Sequence, residues 1–265
     1  AGSLDIPAAN IGFTDDVNIN GTLTATANTM GVAGRVEADV MDFSGVNQVV
    51  LNGDLVEFYG SELYINNVTL GLDDDGNEII SSLMIETSDL VALGGDIHAQ
   101  AVGIFTDGIV LQNDVAIIAE TGSDENKIYG EVMLGRPEGD LTYTTGTHDL
   151  AVRAGDVKIY GVVDVNGLNI TSKVSEEGEY PTNGDVYFSG ITMAAAKDMI
   201  INADGDITIE NDTYEDPERN VYNYISAGNN LVLNGQNVTV LGGIAAANGF
   251  TVPPPENAPT YTATV

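Results

Sequence analysis

Apolar and small polar residues alternate along much of the chain, as in "SAGNNLVLNGQNVTVLGG" at 226–243. Period-2 alternation places every second side chain on one face, the signature of a half-buried β-strand. Related stretches begin at Asp54 ("DLVEFYGSELYI"), Asp89 ("DLVALGGDIHA"), Asp149 ("DLAVRAGDVKIYG"), Asp198 ("DMIINADGDITI") and Asn230 ("NLVLNGQNVTVLG"). Each runs Asp or Asn, an apolar pair, a short polar or Gly-containing break, then an alternating strand. The break reads as a turn joining a strand pair, because Gly and Asn tolerate turn conformations. On that reading 226–243 is a strand pair with a sheet edge close by.

The starts lie 35, 60, 49 and 32 residues apart, so the repeat is not strict. Degenerate rungs with loop insertions of variable length give such spacing. The expected fold is all-β, an irregular β-solenoid of stacked sheets with Gly/Asn/Asp-rich turns; a β-sandwich or jelly roll is the alternative. Residues 1–250 form one elongated β domain. "LDDDGNE" (72–78), "TGSDENK" (121–127), "SEEGEYPTNGD" (175–185) and "ENDTYEDPERN" (210–220) are turn clusters. Only "ITMAAAKDM" (191–199) hints at a helical turn or two, and its neighbours read as strand. Residues 251–265 form a Pro-rich extended arm: Pro253, Pro254 and Pro255 stiffen it, and the last residues alternate like one unpaired strand. That strand is expected to pair with a neighbouring subunit.

The pattern at Leu231 to Gly243, LxxNGxxVTVxGG, resembles rungs of filamentous-haemagglutinin-like surface proteins, and more loosely β-rich proteins of archaeal S-layers and sheaths. The resemblance covers about a third of the chain. It implies an extracellular, structural or adhesive protein that assembles, and carries no catalytic residue across.

Composition sharpens this picture. Asp+Glu number 40 against Lys+Arg 8, a formal charge of −32. Nucleic acid is excluded as a direct partner, since phosphate contacts need clustered cations. Self-repulsion on this scale favours bound cations or salt, and hence a life outside the cytoplasm. Cysteine is absent, so there is neither a disulfide nor a thiolate metal site. No apolar run of about 18 residues exists to span a membrane as a helix. The start "AGSLDIP" is what signal-peptide cleavage leaves, which adds to the expectation of secretion.

Chemistry is sparse. His98 and His148 stand far apart beside strand-like sequence, and no Ser/His/Asp spacing, phosphate loop or HExxH occurs. The expectation is a non-enzyme; a β-helical glycosidase built on carboxylates is a distant third reading. Two acidic runs are candidate Ca2+ loops, because calcium takes six to eight oxygen ligands in flexible geometry. One comprises Asp73, Asp75, Asn77 and Glu78 around Gly76, the other Asn202, Asp204, Asp206 and Glu210 around Gly205. Sequons at Asn20, Asn67, Asn169, Asn211 and Asn237 mark possible glycan sites, of which Asn211 lies in an evident loop. The expected function is a secreted subunit that self-assembles by β-strand pairing into a sheath, S-layer or filament. The alternative is an adhesion or carbohydrate-binding module.

Overall fold

The computed structural model describes residues 2–122, 127–138, 141–175, 181–211, 224–251 and 261–264; for Asn211, Tyr224, Gly249–Thr251 and Tyr261–Thr264 it describes the main chain alone. The described residues contain no helix. They form a parallel β-solenoid in which the chain visits three faces in turn and each strand pairs with its counterpart one coil on.

The alternation in the sequence supplies the core. On the first face Val17, Val36, Phe58, Ile85, Ile104, Leu134, Ile159, Phe188, Ile209 and Val240 stack in register. The second face stacks Leu4, Leu23, Met41, Leu63, Val91, Ile109, Thr144, Val163, Met193, Ile225 and Ile244. On the third, Ile11, Met30, Val49, Val68, Ile97, Ile117, Val152, Ile170, Ile201 and Leu233 do the same. These rows converge on one apolar core, with Phe43 and Phe58 packed at 5.9 Å between ring centroids. Burying each such aliphatic side chain is worth about 1.5–3 kcal/mol, and the rows repeat that gain at every coil.

Long strands run around corners without breaking. The strand Val17–Val32 crosses all three faces, and its pairing with Arg35–Leu51 shifts register between Ile19 and Thr22 and between Thr24 and Thr26. Corners are also where insertions go: 71–81 and 173–185 both lie between the third face and the first.

Three expectations need correction. Residues 226–243 are not a strand pair: Tyr224–Ala227, Asn230–Asn234 and Val238–Leu241 lie on the second, third and first faces, each paired with strands of other coils. The Asn/Gly breaks are corners, and parallel pairing over long separations takes the place of hairpins. The uneven motif spacing has the same cause. Asp54 precedes the first face and Asp89 the second, whereas Asp149, Asp198 and Asn230 precede the third. Lastly, Tyr261–Thr264 does not leave for a neighbour but pairs in parallel with Val238–Leu241 of its own chain, the next open position on the first face. The Pro-rich run 252–260 lies outside the described residues. "ITMAAAKDM" enters the strand Val186–Ala195, as its neighbours implied.

The sandwich and jelly roll fall with the pairing geometry. Within the described residues, antiparallel pairing is confined to small excursions at Glu120–Thr121 with Ile128–Tyr129, Val174–Ser175 with Thr182–Asn183, and Leu72 with Glu78.

Candidate functional site

The solenoid's polar chemistry concentrates at its corners. There the main-chain N–H groups leave the ladder and need acceptors, and Asp side chains are short enough to supply them. Before the first face, Asp156 Oδ1 accepts from the N–H of Asp185 at 2.9 Å, Asp185 Oδ1 from that of Asp206 at 2.7 Å, and Asp206 Oδ1 from that of Asn237 at 3.1 Å. Before the third face, Asp96 accepts from Ala116 at 2.8 Å, Asp114 from Asp149 at 2.9 Å and Asp198 from Asn230 at 3.0 Å. Each carboxylate thus fastens the next coil. The Asp149 N–H holds the Asp114 carboxyl below the usual carboxylate range, helped by the His148 ring at 3.6 Å. Part of the acid excess therefore has a structural use that residue counts alone conceal.

The first candidate calcium run closes on itself. Asp73 Oδ1 accepts from the N–H groups of Asp75 at 2.9 Å and Asn77 at 2.8 Å, and the Asp73 N–H donates to Asn77 O at 2.8 Å. The N–H groups that reach its carboxylate depress the Asp73 pKa, that of Asn77 most of all. Asp75, Asn77 and Glu78 are exposed around it. The second run is not brought together. Asn202 lies on the third face, Asp204 pairs with Lys173 at 2.9 Å, Asp206 holds Asn237, and Glu210 sits on the first face, accepting from the Tyr187 hydroxyl. Among the described residues, no three His, Cys, Asp or Glu side chains converge to hold a metal ion.

Most of the scarce cations among the described residues are paired with acids. Arg35 pairs with Glu37 at 2.9 Å, Lys158 with Glu131 at 2.6 Å and Arg136 with Asp107 at 3.3 Å. Glu120 takes Lys127 at 2.6 Å on one oxygen and Arg153 at 3.0 Å on the other. His98 bonds the Glu120 carbonyl at 2.9 Å, a structural tie.

Two features were invisible in the sequence. One is a polar seam inside the corner between the first and second faces. There Thr87 Oγ1 donates to Thr106 Oγ1 at 2.8 Å, Thr142 Oγ1 donates to Thr106 O at 2.6 Å, and Arg136 Nη2 reaches Thr87 O at 2.8 Å. The three threonines are buried, and only the coil register brings them together. The other is a shallow groove of about 540 Å³ at the edge of the third face, with Asp114, Asp149, Lys197 and Asp198 on its rim and Ala116 and Ile200 among its floor.

Asn20, Asn67, Asn169 and Asn237 are exposed on the solenoid. The amide nitrogens of Asn67 and Asn237 are already donating, to Asn47 O at 3.2 Å and Asp206 Oδ1 at 2.7 Å. The Asn211 side chain, and the loop that follows it, lie outside the described residues. No helix of the described residues is long and apolar enough to cross a membrane. No family model matches the chain, nor does any curated protein or solved structure.

Proposed function

We propose that the chain is a structural subunit of an extracellular assembly, joined to its neighbours by continuation of its parallel β-ladders. The observation that carries this reading is the apolar edge formed by the strands Gly2–Pro7 and Asn10–Phe13. Among the described residues, both pair on one side only, with Val17–Val32. Their core-facing residues continue the buried rows, yet Leu4 is 41% exposed and Ile6, Ile11 and Phe13 are only partly buried. Main-chain groups and apolar side chains are both presented in register for one more coil, the arrangement by which an added strand extends a sheet. A net charge of −32 and the lack of cysteine suit an exterior, salt-containing setting.

Electron microscopy of the purified chain tests this. A single solenoid is about 50 Å long at ~4.8 Å per coil. Particles that lengthen well beyond this as concentration rises, and that stay short in the Leu4→Asp/Ile11→Asp double variant, are expected. Wild-type particles that stay at the single-solenoid length at every concentration overturn the proposal.

A second reading rests on the groove. Carboxylates, Asn169 and Lys197 beside an aliphatic floor are the donors and acceptors that a saccharide-binding module uses. Selective, saturable retention on a glycan array, lost in Lys197→Ala, would favour it.

A further inference from the structure

The two ends of the solenoid differ in charge. Residues 220–255 contain no Asp, Glu, Lys, Arg or His, in a chain that is 18% charged and carries −32 in all. They supply the last described strands of the second and third faces, Gly243–Ala246 and Gly249–Thr251, and Tyr261–Thr264 completes that edge on the first face. The opposite end carries Asp5, Asp15 and Asp16, all exposed. Charged residues are depleted at the centre of protein interfaces, and a solenoid that stands alone needs polar capping coils.

The ends also match in architecture. Among the described residues, each of these three last strands pairs on one side only, with Tyr224–Ala227, Asn230–Asn234 and Val238–Leu241 in turn. The other end likewise offers one strand per face: Gly2–Pro7 on the second, Asn10–Phe13 on the third and residues 17–19 on the first. The partly buried apolar residues at the margin of the core lie at these two ends, Ile244 and Ala246 at one and the group from Ile6 to Ile19 at the other.

We propose that the C-terminal edge receives the N-terminal edge of a second copy, so that chains join head to tail in one direction. The proposal rests on the assembly reading above and names the surface that accepts the incoming coil. A shift along the solenoid axis lays each face on its like, with strands parallel. Leu4 then extends the row of Ile244, Ile11 that of Leu233 and Val17 that of Val240. The last coil step pairs four residues on the second face, three on the third and four on the first, and a docked copy repeats such a step. Joining like ends through a two-fold axis cannot do this, because it lays one face on itself, exchanges the other two and runs the strands antiparallel. Charge acts in the same sense. Two N-terminal edges would oppose Asp5, Asp15 and Asp16 to their own copies, whereas the C-terminal edge meets them with uncharged strands. A head-to-tail contact repeated along one axis gives an open filament of single polarity.

Electron microscopy of blocked variants tests it. Ile244→Asp blocks one edge and Leu4→Asp/Ile11→Asp the other, and each alone should stay at single-solenoid length at every concentration. Mixed in equal amounts they should give particles of about twice that length and no longer, because each supplies the edge that the other lacks. Circular dichroism checks that strand content is kept, and Ala246→Asp replaces Ile244→Asp if that variant unfolds. Thr208→Glu, away from both edges, should lengthen as wild type does. A wild type that never lengthens ends the assembly reading and this inference with it. Where wild type lengthens, an Ile244→Asp chain that lengthens equally or pairs on its own overturns the inference alone, as does a mixture that stays single.

Discussion

The carboxylate of Asp185 accepts the main-chain N–H of Asp206 at 2.7 Å, one coil further along, while the N–H of Asp185 itself donates to Asp156 at 2.9 Å. The corner is thus held by a relay in which each Asp is acceptor to the next coil and donor to the last. Replacing Asp185 with Ala leaves the Asp206 N–H without its partner and is expected to cost about 1–2 kcal/mol, read as a lowered urea midpoint. Asp185→Asn keeps an acceptor oxygen and should cost less. Hydrogen exchange supplies a local check: the Asp206 amide should exchange faster in Asp185→Ala, and unchanged exchange would remove the relay as its source of protection.

Gly161 pairs with Gly190 where the strand Asp156–Val165 turns from the first face to the second, at a register shift. Its φ of 97° is a conformation that side chains rarely adopt, and a Cβ there would collide with the Thr142 carbonyl. Gly161→Ala should therefore destabilise by about 1–3 kcal/mol from backbone strain alone, and by more if the collision is not relieved. Gly12, where a Cβ meets nothing within 4 Å, is the matched control. Denaturation of both variants decides the point, and equal midpoints would show that the corner yields.

How much of this was legible beforehand follows from what alternation encodes. Period 2 marks which residues face inward, so the rows through Leu63, Ile85 and Leu233 could be anticipated as core. It does not encode which strand lies beside which. Asn230–Asn234 and Val238–Leu241 looked like a hairpin because a corner and a turn use the same Gly and Asn. Coil length varies with each insertion, so Asp149 and Asp198 seemed irregular repeats although the strand at Gly167–Ser172 lies between them on the same face. The acidic runs had the same ambiguity. Asp73 satisfies backbone N–H groups with the oxygens a cation would use, and oxygen spacing in a sequence cannot tell these apart.

The internal threonine seam carries a separate prediction. Thr142 Oγ1 donates to Thr106 O at 2.6 Å and accepts from the Arg136 N–H at 3.3 Å, in a corner closed to solvent. Thr142→Val keeps the shape and removes both bonds, at an expected cost of about 1–3 kcal/mol; Thr142→Ser should restore most of it. Equal stability of the Val and Ser variants would assign the site to packing alone.

Calcium is expected to act on this chain as a counterion. Asp73 is engaged by its own turn, and Asp204 and Asp206 are engaged by Lys173 and Asn237. Calcium and magnesium should then raise the melting temperature alike, through screening of the −32 charge, and added sodium chloride should abolish the difference made by a chelator. A saturable calcium response that magnesium does not reproduce would instead place a coordinating site on the chain.

Acid should reveal the corner at Asp114. Its pKa lies below the ordinary aspartate value, held there chiefly by the Asp149 N–H and further by His148. A carboxyl with a depressed folded pKa favours the folded state at every pH above its unfolded value. That contribution fades as pH falls through the folded value, so the relevant window opens below about 4. Asp73 shifts in the same direction, by the N–H groups of its turn, and adds to the same limb. Melting temperature should thus hold from neutral pH down to about 4 and fall beneath it. Asp114→Asn keeps an acceptor for the Asp149 N–H but never carries charge. It should melt below wild type at neutral pH and converge with it as acid protonates Asp114. A gap between the two proteins that persists undiminished into strong acid would show that the Asp114 charge is not what the corner uses.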